Sequence, residues 1–486
     1  MATKTQYVSV NSTPNSPDCP RSALDSLRDF MARRRKKGER VADFGAFEAE
    51  LHERVMGLER ELLAEELARA DVDAAAIEVE GVSYHRSVRS IGRYQTAAGE
   101  VEVERTLYRS RGKGQDTRSF AALDRNLGII DGRWTPMAAM QASWLVAHMT
   151  PGLSEELLKR LGTMTPSRSS LDRLPKALQK TWEAMDVDTK VRACEHVPDE
   201  AVTVAVSLDG VMAPMRDGRA TDKRKETANS GRLTRGPAGY REVGCGAVSF
   251  YDKEGAILRS VHIGRMPEAK KATLKSLLSS ELGQAFAERP NLTLVAIADG
   301  AKDNWSYLQD EVLGALGEGH AKVAILDFFH AAEHISAALG AAYGEGTVKA
   351  RTKFAAYRAL LLEDPQGVQK VIRSLAYLSK KFPRSEKLSS VVTYLRTHRH
   401  MMHYAAYREK ALPIGSGVVE ATCKTLVTQR MKNSGMRWAQ EGGQAVLTLR
   451  SWAQSERFDR AWAHIAAAYQ VEVTTLANVI ALPRGS

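Results

Sequence analysis

Three apolar runs between residues 202 and 327 each end on an aspartate, and this pattern constrains the fold more than any other feature. Val202, Val204 and Val206 alternate up to Asp209-Gly210, residues 292–298 run apolar into Asp299-Gly300, and residues 322–326 do the same into Asp327. Short runs of this kind, bounded by turn formers, are strands. Two further alternations lie at 240–251 and 257–263, followed by a helical stretch at about 268–287, and a second helical stretch covers about 303–316. Three strands, helix, strand, helix, strand predicts a mixed α/β sheet with acidic residues at neighbouring strand ends.

That order is the one expected of a ribonuclease H-like core. Its first part is placed at 199–330, a helical insertion at 331–410, and two closing helices with Glu420 at 411–455. The amino-terminal region divides into three segments. Residues 1–75 hold a polar leader and a long helix, with Phe44, Phe47, Leu51, Val55, Leu58 and Leu62 at spacings of three and four, suited to DNA binding or dimerisation. Residues 76–118 alternate as a small antiparallel ribbon with a turn at Ala97-Ala98-Gly99. Residues 119–198 are helical, with a capped start near Ser167; a helix-turn-helix is one arrangement they allow and a plain bundle another. A helix and tail are expected at 456–486. The fold class predicted is therefore multidomain α/β.

A length of 486 residues suits several domains, and a net charge of +11 with a pI near 9.4 favours a polyanionic partner, nucleic acid first. No apolar stretch approaches the roughly 18 residues of a membrane span, so a cytoplasmic protein is expected. Cys19, Cys194, Cys245 and Cys423 form no CxxC pair, which argues against a disulfide framework or zinc ribbon.

Cutting or joining a phosphodiester without a covalent intermediate needs an activated nucleophilic oxygen and a stabilised leaving oxygen. Two magnesium ions, or manganese, about 3.5 to 4 Å apart supply both, and they require hard oxygen ligands. Asp209 and Asp299, each at a strand end and followed by a glycine that would let a nucleic-acid backbone approach, fit that need. A single Asp-Gly is more often only a turn. The third carboxylate is expected on a helix, and Glu420 follows the Gly-rich 413–417 loop, where Ser416 can cap the helix. Lys424, one turn on, would position phosphate or pair with Glu420. Glu409 is the rival acid, presented by neither a strand nor a capped helix.

At these positions a resemblance becomes specific. Ser207-Leu208-Asp209-Gly210-Val211, Ile297-Ala298-Asp299-Gly300-Ala301-Lys302-Asp303-Asn304-Trp305, Leu326-Asp327-Phe328-Phe329-His330-Ala331-Ala332-Glu333-His334 and Gly415-Ser416-Gly417-Val418-Val419-Glu420 resemble successive blocks of bacterial insertion-sequence transposases of the Kra type, and more distantly Mutator-like transposases. The stretch from Gln429 to Trp438 resembles the family's segment after the glutamate. The resemblance implies a DDE transposase that cuts and rejoins double-stranded DNA at transposon ends and target. Asp209, Asp299 and Glu420 would bind two metal ions, Asp327 and His330 would match the acidic-x-x-histidine block, and a homodimer would pair the ends. Many relatives carry cysteines in the region matching 108–114; this chain has none there, so no zinc site is expected in that half.

Candidate DNA contacts are Arg33, Arg34, Arg35, Lys36 and Lys37, then Arg168, then Lys223, Arg224 and Lys225 in a basic loop, and finally Arg430, Lys432, Arg437 and Trp438. The first run reads equally as a solvated helix face. Trp438 suits base stacking or a core aromatic. His330 and His334, and the group His398, His400 and His403, have spacings that zinc can use, but structural or phosphate-contact roles outweigh zinc. The alternatives to a transposase are a nuclease of the same core that does not join strands and a domesticated, non-catalytic DNA-binding derivative.

Overall fold

The computed structural model describes residues 22–37, 43–110, 119–216 and 239–476. The predicted leader, Cys19, and Lys223, Arg224 and Lys225 lie outside the described residues. The chain is mixed α/β and forms two compact units, one comprising residues up to Asp188 together with those from Phe458 on, the other Thr189–Arg457.

In the first unit the helices Ala23–Lys37 and Phe44–Arg69 pair, with Phe30 stacked on Phe47 at 5.8 Å. The second helix starts on Asp43, whose side chain accepts the Ala46 N–H, and it buries Ala64 and Leu67 against Tyr94, Val101 and Val103. Those residues belong to strands β2 (Val82–Thr96) and β3 (Gly99–Arg109), preceded by β1 (Ala76–Val79) and followed by β4 (Phe120–Ala121). What the sequence predicts as a small ribbon is a five-stranded antiparallel sheet, because the expected tail adds a strand: Val473–Thr475 pairs with β1, setting Val473 opposite Val79. Next in the chain come the helices Pro136–His148, Pro151–Leu161 and Arg168–Ala184. Gly162, at φ 69°, ends the second of these in the left-handed conformation that glycine adopts freely. Ser167 caps the third, and Arg168 is exposed at its start.

The second unit is organised by another five-stranded sheet. Strand β5 (Thr203–Pro214) pairs antiparallel with β6 (Tyr240–Tyr251), which pairs antiparallel with β7 (Ile257–Arg265). On its other edge β5 runs parallel to β8 (Thr293–Ala298), and β8 runs parallel to β9 (Lys322–Leu326), giving the order β7-β6-β5-β8-β9. Val204, Val206, Leu294, Val295 and Ile297 are buried, as expected of central strands covered on both faces. The helix Ala272–Glu288 packs on β6 and β7, while the helices Phe328–Tyr343, Val348–Glu363, Gly367–Lys381 and Glu386–His398 pack into the same core. A buried clasp closes the unit: Arg457 donates to both carboxylate oxygens of Glu195 (2.9 and 2.6 Å) and of Glu281 (both 2.8 Å). With donors and acceptors paired, the desolvation of these charges is offset.

Two local expectations change. β5 does not end at Asp209-Gly210 but continues to Pro214, because β6 pairs with it along its whole length, Asp209 facing Cys245. The helical stretch after Asp299 is a short helix, Lys302–Ser306, that passes into a π-helical turn, Tyr307–Leu313.

Candidate active site

Register brings the acidic residues together. Ser207 of β5 lies level with Ile297 of β8, and Ala298 of β8 with Leu326 of β9, so Asp209, midway along β5, is level with Asp299 and Asp327, which directly follow β8 and β9. The structure gives them different duties.

Asp209 is half-buried and accepts the backbone N–H of Gly210 at 2.7 Å; the Cys423 thiol lies 3.9 Å from its other oxygen. Burial pushes its carboxyl above the usual carboxylate range. The Gly210 N–H opposes that shift, the like charge of Asp299 adds to it, and Lys271 and His330 pull the other way. Asp299 is held by the Ala301 N–H at 3.1 Å and the Asn304 amide at 3.4 Å. The same Asn304 amide reaches the Leu208 carbonyl at 3.4 Å, which ties the ends of β5 and β8 together.

Asp327 is fully buried and both its oxygens are occupied: one accepts the His330 N–H at 2.7 Å and starts the helix Phe328–Tyr343, the other accepts the Ser416 N–H. Its own N–H donates to Ala298, and the next N–H, that of Phe328, donates to Ile414 at 3.0 Å. Asp327 therefore fastens the loop before Glu420 to the strand end.

Glu420 rides on the short helix Gly417–Thr422, which packs on β5 and β6. Ser416 precedes it but does not cap it with its side chain; the hydroxyl instead donates to the Glu420 carboxylate at 3.2 Å. His262 of β7 holds the other end of this helix through Thr422, with Nδ1 2.7 Å from the hydroxyl. Glu420 is exposed, and among the described residues no three His, Cys, Asp or Glu side chains are gathered closely enough to hold a metal. Asp209 and Asp299, two carboxylates with repelling charges, match the donor set of a hard cation. Glu420 lies on a neighbouring element with its carboxylate held by Ser416. No ion pair joins Glu420 to Lys424 among the described residues, for the chain turns π-helical at Cys423–Thr428; Lys424 is exposed. Glu409 is exposed at the end of the helix Tyr404–Glu409.

Sequence reasoning missed several neighbours. Tyr394 crosses Gly300, where a Cβ would collide with its ring, and the Glu242 carboxylate crosses Gly210 in the same way. The two glycines therefore make room for the protein's own side chains, and open space for nucleic acid is not what the structure has there. Tyr394 also stacks between His334 at 4.3 Å and His398 at 4.7 Å, and burial holds the His334 imidazole below its usual range. His330 faces His334 with ring centroids 5.9 Å apart.

Among the predicted DNA contacts, Arg430 is corrected: it is 2% exposed, with its guanidinium 5.0 Å from the Trp438 ring centroid. Trp438 is half-buried, donates its indole N–H to Met431 at 3.0 Å and bridges to Met215, just past the end of β5, so the ring is a wall with one face covered. Lys432 and Arg437 are exposed. No family model and no curated protein matches the chain.

Proposed function

We propose that this chain is a DNA transposase with a ribonuclease H-like core, cutting at its element's ends and joining the freed ends to a target. What supports it above all is the order β7-β6-β5-β8-β9 with Asp209, midway along β5, level with Asp299, which follows the end of the adjacent parallel strand β8. The order of elements along the chain, three strands, helix, strand, helix, strand, is the one the sequence pattern led us to expect of such a core.

The chemistry required is attack by water on a phosphodiester, then attack by the new 3′ hydroxyl on the target strand. Two magnesium or manganese ions, held by Asp209 and Asp299 with Glu420 joining them, would activate the attacking oxygen and stabilise the leaving one. The chain's own residues prepare the ground. Asn304 and the Ala301 N–H fix the Asp299 carboxylate, while Asp327 holds the loop that presents Glu420. The Ser416 hydroxyl donates to one oxygen of the Glu420 carboxylate and so orients it. Duplex DNA is the substrate and a homodimer the working form.

The test uses DNA that flanks the chain's own coding sequence, where element ends would lie. Asp209→Asn, Asp299→Asn and Glu420→Gln should each lower magnesium-dependent cleavage by roughly 10³-fold or more while duplex binding persists. Cleavage that survives Glu420→Gln but fails in Glu409→Gln would move the third acid. Full cleavage by Asp209→Asn or Asp299→Asn would end the proposal.

A further inference from the structure

Among the described residues, Lys270 and Lys271 are the only consecutive non-glycine residues in the left-handed region, with φ of 54° and 55°. Side chains with a Cβ resist this backbone, and such strain persists only where the surroundings enforce it. Here it turns Lys271 back over the sheet. Its stem lies along Gly244, where a Cβ would sit 3.6 Å from the lysine Cγ, and only 17% of the side chain is exposed. The ammonium lies 3.0 Å from Glu242, whose carboxylate crosses Gly210, the residue after Asp209. Lysine, glutamate and glycine thus line up beside the acid pair.

Glu242 is a flexible, 53% exposed side chain, and it takes the place next to Asp209 that an approaching DNA backbone would need. A phosphate presents the same kind of anionic oxygen as a carboxylate, so Lys271 can exchange one for the other without losing a partner. Such an exchange also removes a carboxylate that repels DNA.

We infer that Lys271 is a phosphate-binding residue and that Glu242 is a built-in occupant of its site, displaced when a backbone phosphate of duplex DNA enters over Gly210. This rests on the DNA-cutting function proposed above. Glu242 restrains binding until DNA competes for the ammonium; Lys271, held rigidly by the strained turn, then fixes the phosphate near Asp209 and Asp299.

The experiment measures binding of the full chain to a labelled duplex at several salt concentrations, with divalent ions chelated. Glu242→Gln should tighten binding roughly two- to fivefold, the range of an ion pair half in water. Lys271→Met, which keeps the apolar stem, should weaken binding and flatten the salt slope by about 0.9, and Lys271→Arg should restore both. The gain from Glu242→Gln should vanish in the Lys271→Met background. A gain that persists there is ordinary charge removal and overturns the inference, as does an unchanged slope in Lys271→Met. If the unmodified chain neither binds nor cuts duplex, the functional proposal fails and this inference fails with it.

Discussion

The two units each contain a five-stranded sheet, and Asp209 and Asp299 in the second are handled differently from the acids around the first. In the antiparallel sheet the acids are paired. Asp71 accepts the Thr106 N–H and hydroxyl, both at 2.9 Å; Asp124 accepts the Tyr94 hydroxyl at 2.7 Å and pairs with Arg105; Glu100 meets Arg133 and Glu102 meets Arg93. In the mixed sheet, Asp209 and Asp299 sit side by side, satisfied by backbone and amide N–H groups, with Lys271 the cation that Asp209 senses most strongly. Charges that serve a fold find opposite charges within it. Charges left facing one another, their hydrogen bonds supplied by neutral donors, are candidates for binding something outside the chain.

Substitution should expose the contrast. Asp124→Ala strands the Arg105 guanidinium and the Tyr94 hydroxyl, and it should destabilise the first unit by about 2 to 4 kcal/mol in denaturant unfolding. Asp209→Asn should do the reverse, raising the melting temperature of the second unit by about 2 to 4 °C for each kcal/mol saved by no longer burying a charge beside Asp299, while cleavage is lost. The sign follows from its raised carboxyl. A group whose folded pKa exceeds its unfolded value, near 3.9, contributes stability that is full below that value and is lost as pH rises through the folded one. The asparagine variant should therefore match the parent in acid and exceed it above that window. Equal melting curves at neutral pH would mean that the two acids do not strain the fold, and the contrast between the sheets would lose its meaning.

The strands of the mixed sheet were readable, though not their spatial order, because strands covered on both faces need long apolar runs, and Val204, Val206, Leu294 and Ile297 provide them. Asp209, Asp299 and Asp327 were readable for the same reason, since each apolar run stops where one of them begins. The extension of β5 past Asp209 was not, because it depends on pairing with β6 and not on local preference. Nor was the strand Val473–Thr475: three residues that join a sheet across most of the chain leave no periodic signal. Lys271 looked like one more lysine entering a helix, and its left-handed backbone cannot be inferred from its side chain. Arg430 was misjudged because a basic residue in a basic segment suggests phosphate contact, whereas its flat guanidinium also suits an aromatic face.

The smallest effect tests whether the same division of labour holds for cations in the helix Ala23–Lys37. Arg34 lies 5.0 Å from the Phe47 ring centroid and braces the helix pair, whereas Arg33 and Arg35 are exposed on either side of it. If exposed charges serve DNA and covered ones serve the fold, the three arginines should separate in a salt titration. Removing one arginine from a DNA phosphate flattens the dependence of log affinity on log salt by about 0.9, so a joint Arg33→Gln and Arg35→Gln variant should drop roughly 0.9 to 1.8 of slope. Arg34→Gln should leave the slope almost unchanged and instead lower the melting temperature slightly, because a cation over an aromatic ring at a partly exposed site is worth about 0.5 to 1 kcal/mol. Replacing Arg168, exposed at the start of the helix Arg168–Ala184, should shift sequence preference at matched salt if that helix reads bases. Should the double variant keep the parent slope, the exposed arginines are no more than a solvated helix face, and the part of the first unit that meets DNA has to be sought on the helices around Arg168.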